Sequence, residues 1–408
     1  MTFFFGVALF ALGIAVTIAL HEWGHMMAAR VCGMRVRRYF IGFGPTLWST
    51  KRRHPGAGGH ITEYGVKAVP LGGFCDIAGM TAQDPVRPEE EPYAMYKQSA
   101  LRRIFVLSGG VLMNILVGLI IIYLVAVAWG LPNIRQDLTP RVESTTCVPA
   151  AQNADGTLTP CEGSGPAAQA GLQQGDVIVA VDGVKTNSYL DVVEQIRPAR
   201  DAVAITVQRG DQEQTIDIQP DIVQRRTTSG EIQDQAAIGV AFARPDTSIT
   251  EYNPATAVGV TVLFAKDLFV AVWEGLLSLP SKVPGVVASI FGGDRAQDSP
   301  MSVVGASRIG GEMAENNLWS SFLMLLANLN FFLALFNLVP LPPLDGGHIA
   351  VVIYEKIRDA IRRLFGKAPA GPADYNKLMP ITMFFTVILL FFGVIVIAAD
   401  VVNPIRLF

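Results

Sequence analysis

Four long apolar runs divide the 408-residue chain. Phe3 to Leu20 holds no charged residue, and one helix is expected from residue 3 to about residue 30. At 1.5 Å per residue such a run is long enough for a helix to cross a bilayer. Residues 104–129, 318–341 and 378–399 have the same character and predict three further spans. Between the first two, Val36–Trp48 and Thr62–Phe74 are short, Gly-rich and strand-like, around a basic turn at Lys51–His60. From Leu131 to about residue 245 the composition turns soluble. Gly165–Gly183 reads as short helix, turn, strand and turn; a helical stretch at Tyr189–Ile196 and alternating strands at Val203–Gln208 and Gln214–Ile218 follow. This predicts a compact αβ module with its core in residues 162–222.

Within residues 246–317, the stretch Thr256–Phe291 is apolar but interrupted by Lys266, Asp267, Glu274 and Lys282, with Pro280 and Pro284 as breakers. It predicts an amphipathic helix pair on the membrane surface, with a further span as the alternative. The expected architecture is a mainly α membrane protein. It has four spans, a membrane-associated β-hairpin region (36–74), an αβ domain (131–245) and surface helices before the last two spans.

Charge sets the orientation. Residues 30–103 and 355–377 are rich in Lys and Arg beside predicted spans, which marks their side as cytoplasmic. Both termini and the αβ module then lie outside. Charged residues make up 16% of the chain and the net charge is −3, which argues against a nucleic-acid partner. The first run lacks a basic flank, so it reads as a retained helix rather than a signal peptide. Four cysteines are too few for a disulfide scaffold, but Cys147 and Cys161 bracket a polar loop as a local bridge would.

The chemistry begins where the first run ends, at His21-Glu22-Trp23-Gly24-His25. Histidines four apart share a helix face and can bind one Zn2+, with Glu22 as general base on the bound water. A catalytic zinc usually takes a third protein ligand and keeps one position open. Asp345, in Asn337-Leu338-Val339-Pro340-Leu341-Pro342-Pro343-Leu344-Asp345-Gly346-Gly347-His348, is the first candidate and His348 its competitor. Asn337 can donate to the developing oxyanion or bond a neighbouring helix. Asn114, in Gly109-Gly110-Val111-Leu112-Met113-Asn114, reads as helix packing or as a group near the site. The 36–74 strands can offer an edge to an extended substrate or simply pack as a hairpin.

The paired motifs His21–His25 and Asn337–Gly347 resemble the site-2 protease family, peptidase family M50, of intramembrane zinc metalloproteases. Gly42–Pro45, Pro70–Phe74 and Gly165–Gly183 are also similar to it, the last to its PDZ domain, and single-PDZ actinobacterial members look most alike. The resemblance implies His21, His25 and Asp345 as ligands of one Zn2+ and Glu22 as base. It implies peptide hydrolysis within single-span membrane substrates, such as anti-sigma factors, after an upstream site-1 protease has shed their outer part. It also implies a substrate clamp in the strands, around Phe43, Gly44, Gly72 and Gly73. Two other readings remain: a PDZ-bearing adaptor whose zinc is structural, and a tethered zincin acting on soluble peptides. The second fits poorly, because the soluble segment contains no His.

Overall fold

The computed structural model describes the chain except for residues 55–58, 82, 133–137, 152–157, 227–231, 244–248, 294, 297 and 408. It divides into two compact units, Met1–Leu131 with Glu251–Phe408, and Pro132–Thr250.

Helix α1 (Thr2–Val31) is apolar almost all round, yet it buries one stripe. Gly6, Phe10, Ile14, Thr17, His21, Gly24, His25 and Ala28 recur every three or four residues on that stripe. The two histidines are therefore inward-facing members of the helix's packing face. Strands β1 (Val36–Arg53) and β2 (Ile61–Ile77) are longer than the sequence suggests. The basic residues expected in a turn continue the ladder instead: Lys51 opposes Glu63, and Ser49 Oγ donates to Glu63 Oε1 at 2.9 Å. Opposite charges facing across strands support pairing. The centre of the expected turn, residues 55–58, lies outside the described residues. The two strands bend back on themselves. Arg38–Ile41 pairs on one side with Asp76–Gly73 and on the other with Glu63–Val66, which in turn faces Lys51–Trp48. Gly73–Asp76 forms an edge of this sheet among the described residues.

Tyr39 Oη donates to the Ala19 carbonyl of α1 at 2.7 Å and ties the sheet to the membrane helix. The acidic loop after β2, residues 84–92, also anchors the sheet. Glu90, 3% exposed, binds Arg35 at 2.9 Å and Arg37 at 2.8 Å. Burial pushes its carboxyl up, but the Arg37 and Arg35 guanidiniums hold it below the usual range. The span expected at 104–129 starts earlier and is stepped at Ser108 into α2 (Ala100–Leu107) and α3 (Gly109–Ala128).

The second unit holds a four-stranded sheet in the order Val184–Lys185, Val177–Val181, Val203–Arg209, Gln212–Ile218. Helices α4 (Pro166–Gln169) and α5 (Tyr189–Ile196) accompany it. Val142, Ile178, Val192, Ile205 and Ile218 form its core. Ser188 and Asp191 cap α5 reciprocally. Cys147 and Cys161 are joined by a disulfide.

The remaining membrane unit departs from expectation in two places. The surface helix pair is instead a single 37-residue helix, α6 (Pro254–Ile290), followed by α7 (Val303–Glu315). Five described helices, not four, are thus long and apolar enough to cross a membrane. Pro280 and Pro284 do not end α6. The hydroxyls of Ser278 and Ser281 donate to the Gly275 and Ser278 carbonyls in the same stretch. After α8 (Trp319–Leu338) comes α9 (Asp345–Leu364), which occupies much of the expected basic loop. Its buried Val352 and Glu355, and Arg362 and Arg363 in its last turn, favour helix. Glu355 pairs with Arg103 of α2 at 2.5 Å.

Helix α10 (Tyr375–Val402) buries little of its length and is held at its ends. Asp400 accepts from Arg295 (2.5 Å) and from Ser302 N and Oγ (2.6 and 2.5 Å). Both charged side chains are almost fully buried. Removing one partner strands the other charge, so Asp400→Ala is expected to cost about 3–5 kcal/mol. Thermal unfolding of the detergent-solubilised protein measures this; an unchanged midpoint contradicts it.

Candidate metal centre

His21 and His25 bring their Nε2 atoms within 3.2 Å of each other. Asp345 Oδ2 lies 3.2 Å from each of them. Ligands on a tetrahedral zinc at about 2.0 Å stand roughly 3.3 Å apart, so this near-equilateral triangle has the dimensions of one face of such a site. Hydrogen bonding gives the same answer. His25 Nδ1 lies 2.8 Å from the Val106 carbonyl, which can only accept, so the proton sits on Nδ1. Nε2 then turns a lone pair toward a second imidazole and a carboxylate. Buried lone pairs gathered this closely need a cation among them. Both histidines are 8% exposed. The residues fit zinc.

Close helix approach makes the triangle possible. A Cβ at Gly24 would stand 2.3 Å from the Gly109 carbonyl, so α1 and α3 meet backbone to backbone. One at Gly110 would stand 2.5 Å from His21 Cε1 and Nε2 and His25 Nε2. Asp345 arrives from the other side. Pro340, Pro342 and Pro343 cannot continue α8, and the chain turns into α9 with Asp345 in its first turn. That position favours a carboxylate, because the helix dipole and free N–H groups face it. Gly346 and Gly347 seat the turn: a Cβ on either would come within 2.5 Å of the Leu338 or Leu341 carbonyl.

Glu22 lies beside the triangle under the sheet edge. A Cβ at Gly73 would be 3.3 Å from Glu22 Cγ. A half-buried carboxylate, three candidate ligand atoms and an edge of the sheet among the described residues are thereby gathered at one end of α1.

The comparisons with known proteins agree with this geometry. Residues 9–370 match the profile of peptidase family M50. The chain belongs to peptidase family M50. It is 45% identical to zinc metalloprotease Rip1 of Mycolicibacterium smegmatis over 412 residues, all of both chains. It is 44% identical to Rip1 of Mycobacterium tuberculosis over 413 residues, again all of both. A more distant relative is membrane metalloprotease ARASP, chloroplastic, of Arabidopsis thaliana. Identity to it is 28% over 351 residues, 84% of this chain and 68% of the other.

Within this M50 chain, His348 lies outside the triangle. It stacks on Tyr375, with Nδ1 3.3 Å from the phenol oxygen. His54 and His60 bond Tyr64 and Arg35. Of the strand residues, Gly73 touches Glu22. Phe43, Gly44 and Gly72 lie in an adjoining cluster, where Phe43 stacks on Phe74 and a Cβ at Gly72 would strike the Phe43 ring. Asn337 is in the last turn of α8 and makes no side-chain hydrogen bond among the described residues. The Val106 carbonyl that orients His25 was invisible in sequence, since a backbone group leaves no residue-type signal. If Gly110 is needed for the two imidazoles to converge, Gly110→Ala lowers bound zinc well below one per chain while helical circular dichroism persists. Full zinc occupancy in this variant contradicts the packing account.

Proposed function

We infer that this M50 member is an intramembrane zinc metalloprotease, with His21, His25 and Asp345 as the ligands of one Zn2+ and Glu22 as general base. The 3.2 Å triangle of ligand atoms, at the end of an apolar helix, carries the reading. When bound there, zinc lowers the pKa of a coordinated water to about 7 and polarises the scissile carbonyl. Glu22, next to the triangle, takes the proton of the attacking water and delivers it to the departing amide nitrogen. Asn337, with its amide free, donates to the carbonyl oxygen as charge develops on it. The Gly73–Asp76 edge pairs with a substrate unwound to extended form, which exposes the peptide carbonyl that a helix would hide. Phe43, Gly44 and Gly72 flank that edge.

Topology supports the same site. Both α3 and α10 begin beside the metal ligands and run away from them. Tyr123, near the far end of α3, bonds the Pro254 carbonyl at the start of α6, and Asn403, after α10, bonds the Ser289 and Gly293 carbonyls at its end. Both ends of α6 thus stand with the ends of α3 and α10 remote from the metal ligands, which supports reading α1, α3, α8 and α10 as the complete crossings. The basic segments put the metal end at the cytoplasmic face, leaving both termini and the second unit outside. That unit is read as a PDZ domain that filters or regulates substrates. The substrate class is single-span membrane proteins of the anti-sigma-factor type, trimmed beforehand by a site-1 protease.

An adaptor with structural zinc would need a closed site of four protein ligands. Among the described residues the cluster brings together three, and Cys32 is not one of them. The reading is tested by co-reconstituting a tagged single-span substrate with wild-type or Glu22→Gln protein. Chelator-sensitive cutting inside the span is expected from wild type, and a loss of at least about 1,000-fold from the variant with zinc still bound. Equal cutting by both removes Glu22 from its role.

A further inference from the structure

One turn outward from the metal triangle, three polar side chains are buried where α1, α3 and α8 pack. Thr17 is 2% exposed, Asn114 1% and Asn330 0%. Thr17 precedes His21 by one turn on the inward stripe of α1. Asn330 donates from Nδ2 to Thr17 Oγ1 (3.2 Å) and to the Leu326 carbonyl (2.8 Å). Asn114 lies midway between Gly110 and Gly118, four residues from each, so the three share one face of α3. A Cβ at Gly110 would touch His21, and one at Gly118 would stand 2.8 Å from the ring of Phe331, the residue after Asn330. The Asn114 side chain therefore enters the interval between the His21 turn of α1 and the Asn330 turn of α8.

Hydrogen bonding in that interval does not close within the protein. Asn114 Nδ2 and Oδ1, Asn330 Oδ1 and His21 Nδ1 have no protein partner among the described residues. Each such buried group is costly unless satisfied. Groups of this kind on facing helix turns are what internal water binds, typically through about three hydrogen bonds per water. The two histidines also differ. His25 has the Val106 carbonyl on its Nδ1, whereas His21 has no protein group on its own. A metal-bound imidazole is ordinarily oriented by a bond from its second ring nitrogen.

We propose that Asn114, Asn330 and Thr17 hold buried water that accepts the Nδ1–H of His21, making Asn114 a positioning residue for that imidazole. The proposal rests on His21 being a zinc ligand, as the functional reading has it. The outward polar layer does for His21 what the Val106 carbonyl does for His25, and it keeps the His21 lone pair aimed at the metal.

The test uses full-length protein in detergent, with zinc affinity measured by competition against a chromogenic chelator and thermal unfolding followed on the zinc-free form. Asn114→Leu removes both polar atoms at similar volume, and Thr17→Val removes a hydroxyl at nearly constant shape. Asn114→Leu is expected to weaken zinc binding about 10–100-fold. Its zinc-free form unfolds close to wild type, because leucine replaces the amide's bonds to water with apolar contact at similar volume. Thr17→Val shifts zinc affinity in the same direction. Wild-type zinc affinity in both variants overturns the proposal. So does a lowered unfolding temperature with unchanged affinity, which assigns Asn114 to helix packing. Wild-type protein that binds no zinc fails the functional reading itself.

Discussion

The structure depends on holding two imidazole nitrogens and a carboxylate oxygen about 3.2 Å apart inside a low-dielectric region. Without a cation these groups repel or compete for one proton. With one they become its ligands, and the energy of binding is available to hold three chain segments together. The packing around the triangle follows from that demand. Helices α1 and α3 touch backbone to backbone at Gly24 and Gly109, Gly110 leaves room for the imidazoles, and Gly346 and Gly347 let the α8–α9 turn close. None of these positions tolerates a side chain without moving a ligand.

A second constraint is water. Hydrolysis needs it at the metal, while α1 and α3 are apolar along most of their length. The site lies at the end of α1 that carries the sheet, with Glu22 beneath the Gly73 edge. Tyr39 fixes the sheet to α1 through the Ala19 carbonyl, and Glu90 with Arg35 and Arg37 stiffens its base. The acidic loop is thus part of the scaffold that holds the edge strand in place.

Much of this was legible in the sequence where chemistry and periodicity coincide. His21, Glu22 and His25 declare themselves by spacing, and Asp345 by a carboxylate at a proline-broken helix end. Where the reading failed, local composition misled. Lys51–Arg53 look like a turn, but cross-strand charges draw them into the sheet. Glu355–Leu364 look like a basic loop, but α9 continues because one side buries Val352 and Glu355 and its last turn carries arginines. Pro280 and Pro284 look like helix breakers, yet α6 runs through both. The orientation of His25 by a carbonyl and the meeting of Thr17 with Asn330 are tertiary facts, 81 and 313 residues apart in sequence, that no local pattern encodes.

The central claim is that His21, His25 and Asp345 form a three-ligand zinc site with an open position. Zinc K-edge X-ray absorption on the purified wild-type protein addresses it most directly. The account predicts one zinc per chain, two imidazole nitrogens, and oxygens completing the shell, all at about 2.0–2.2 Å. A sulfur at about 2.3 Å, a third imidazole, or no bound zinc would contradict it.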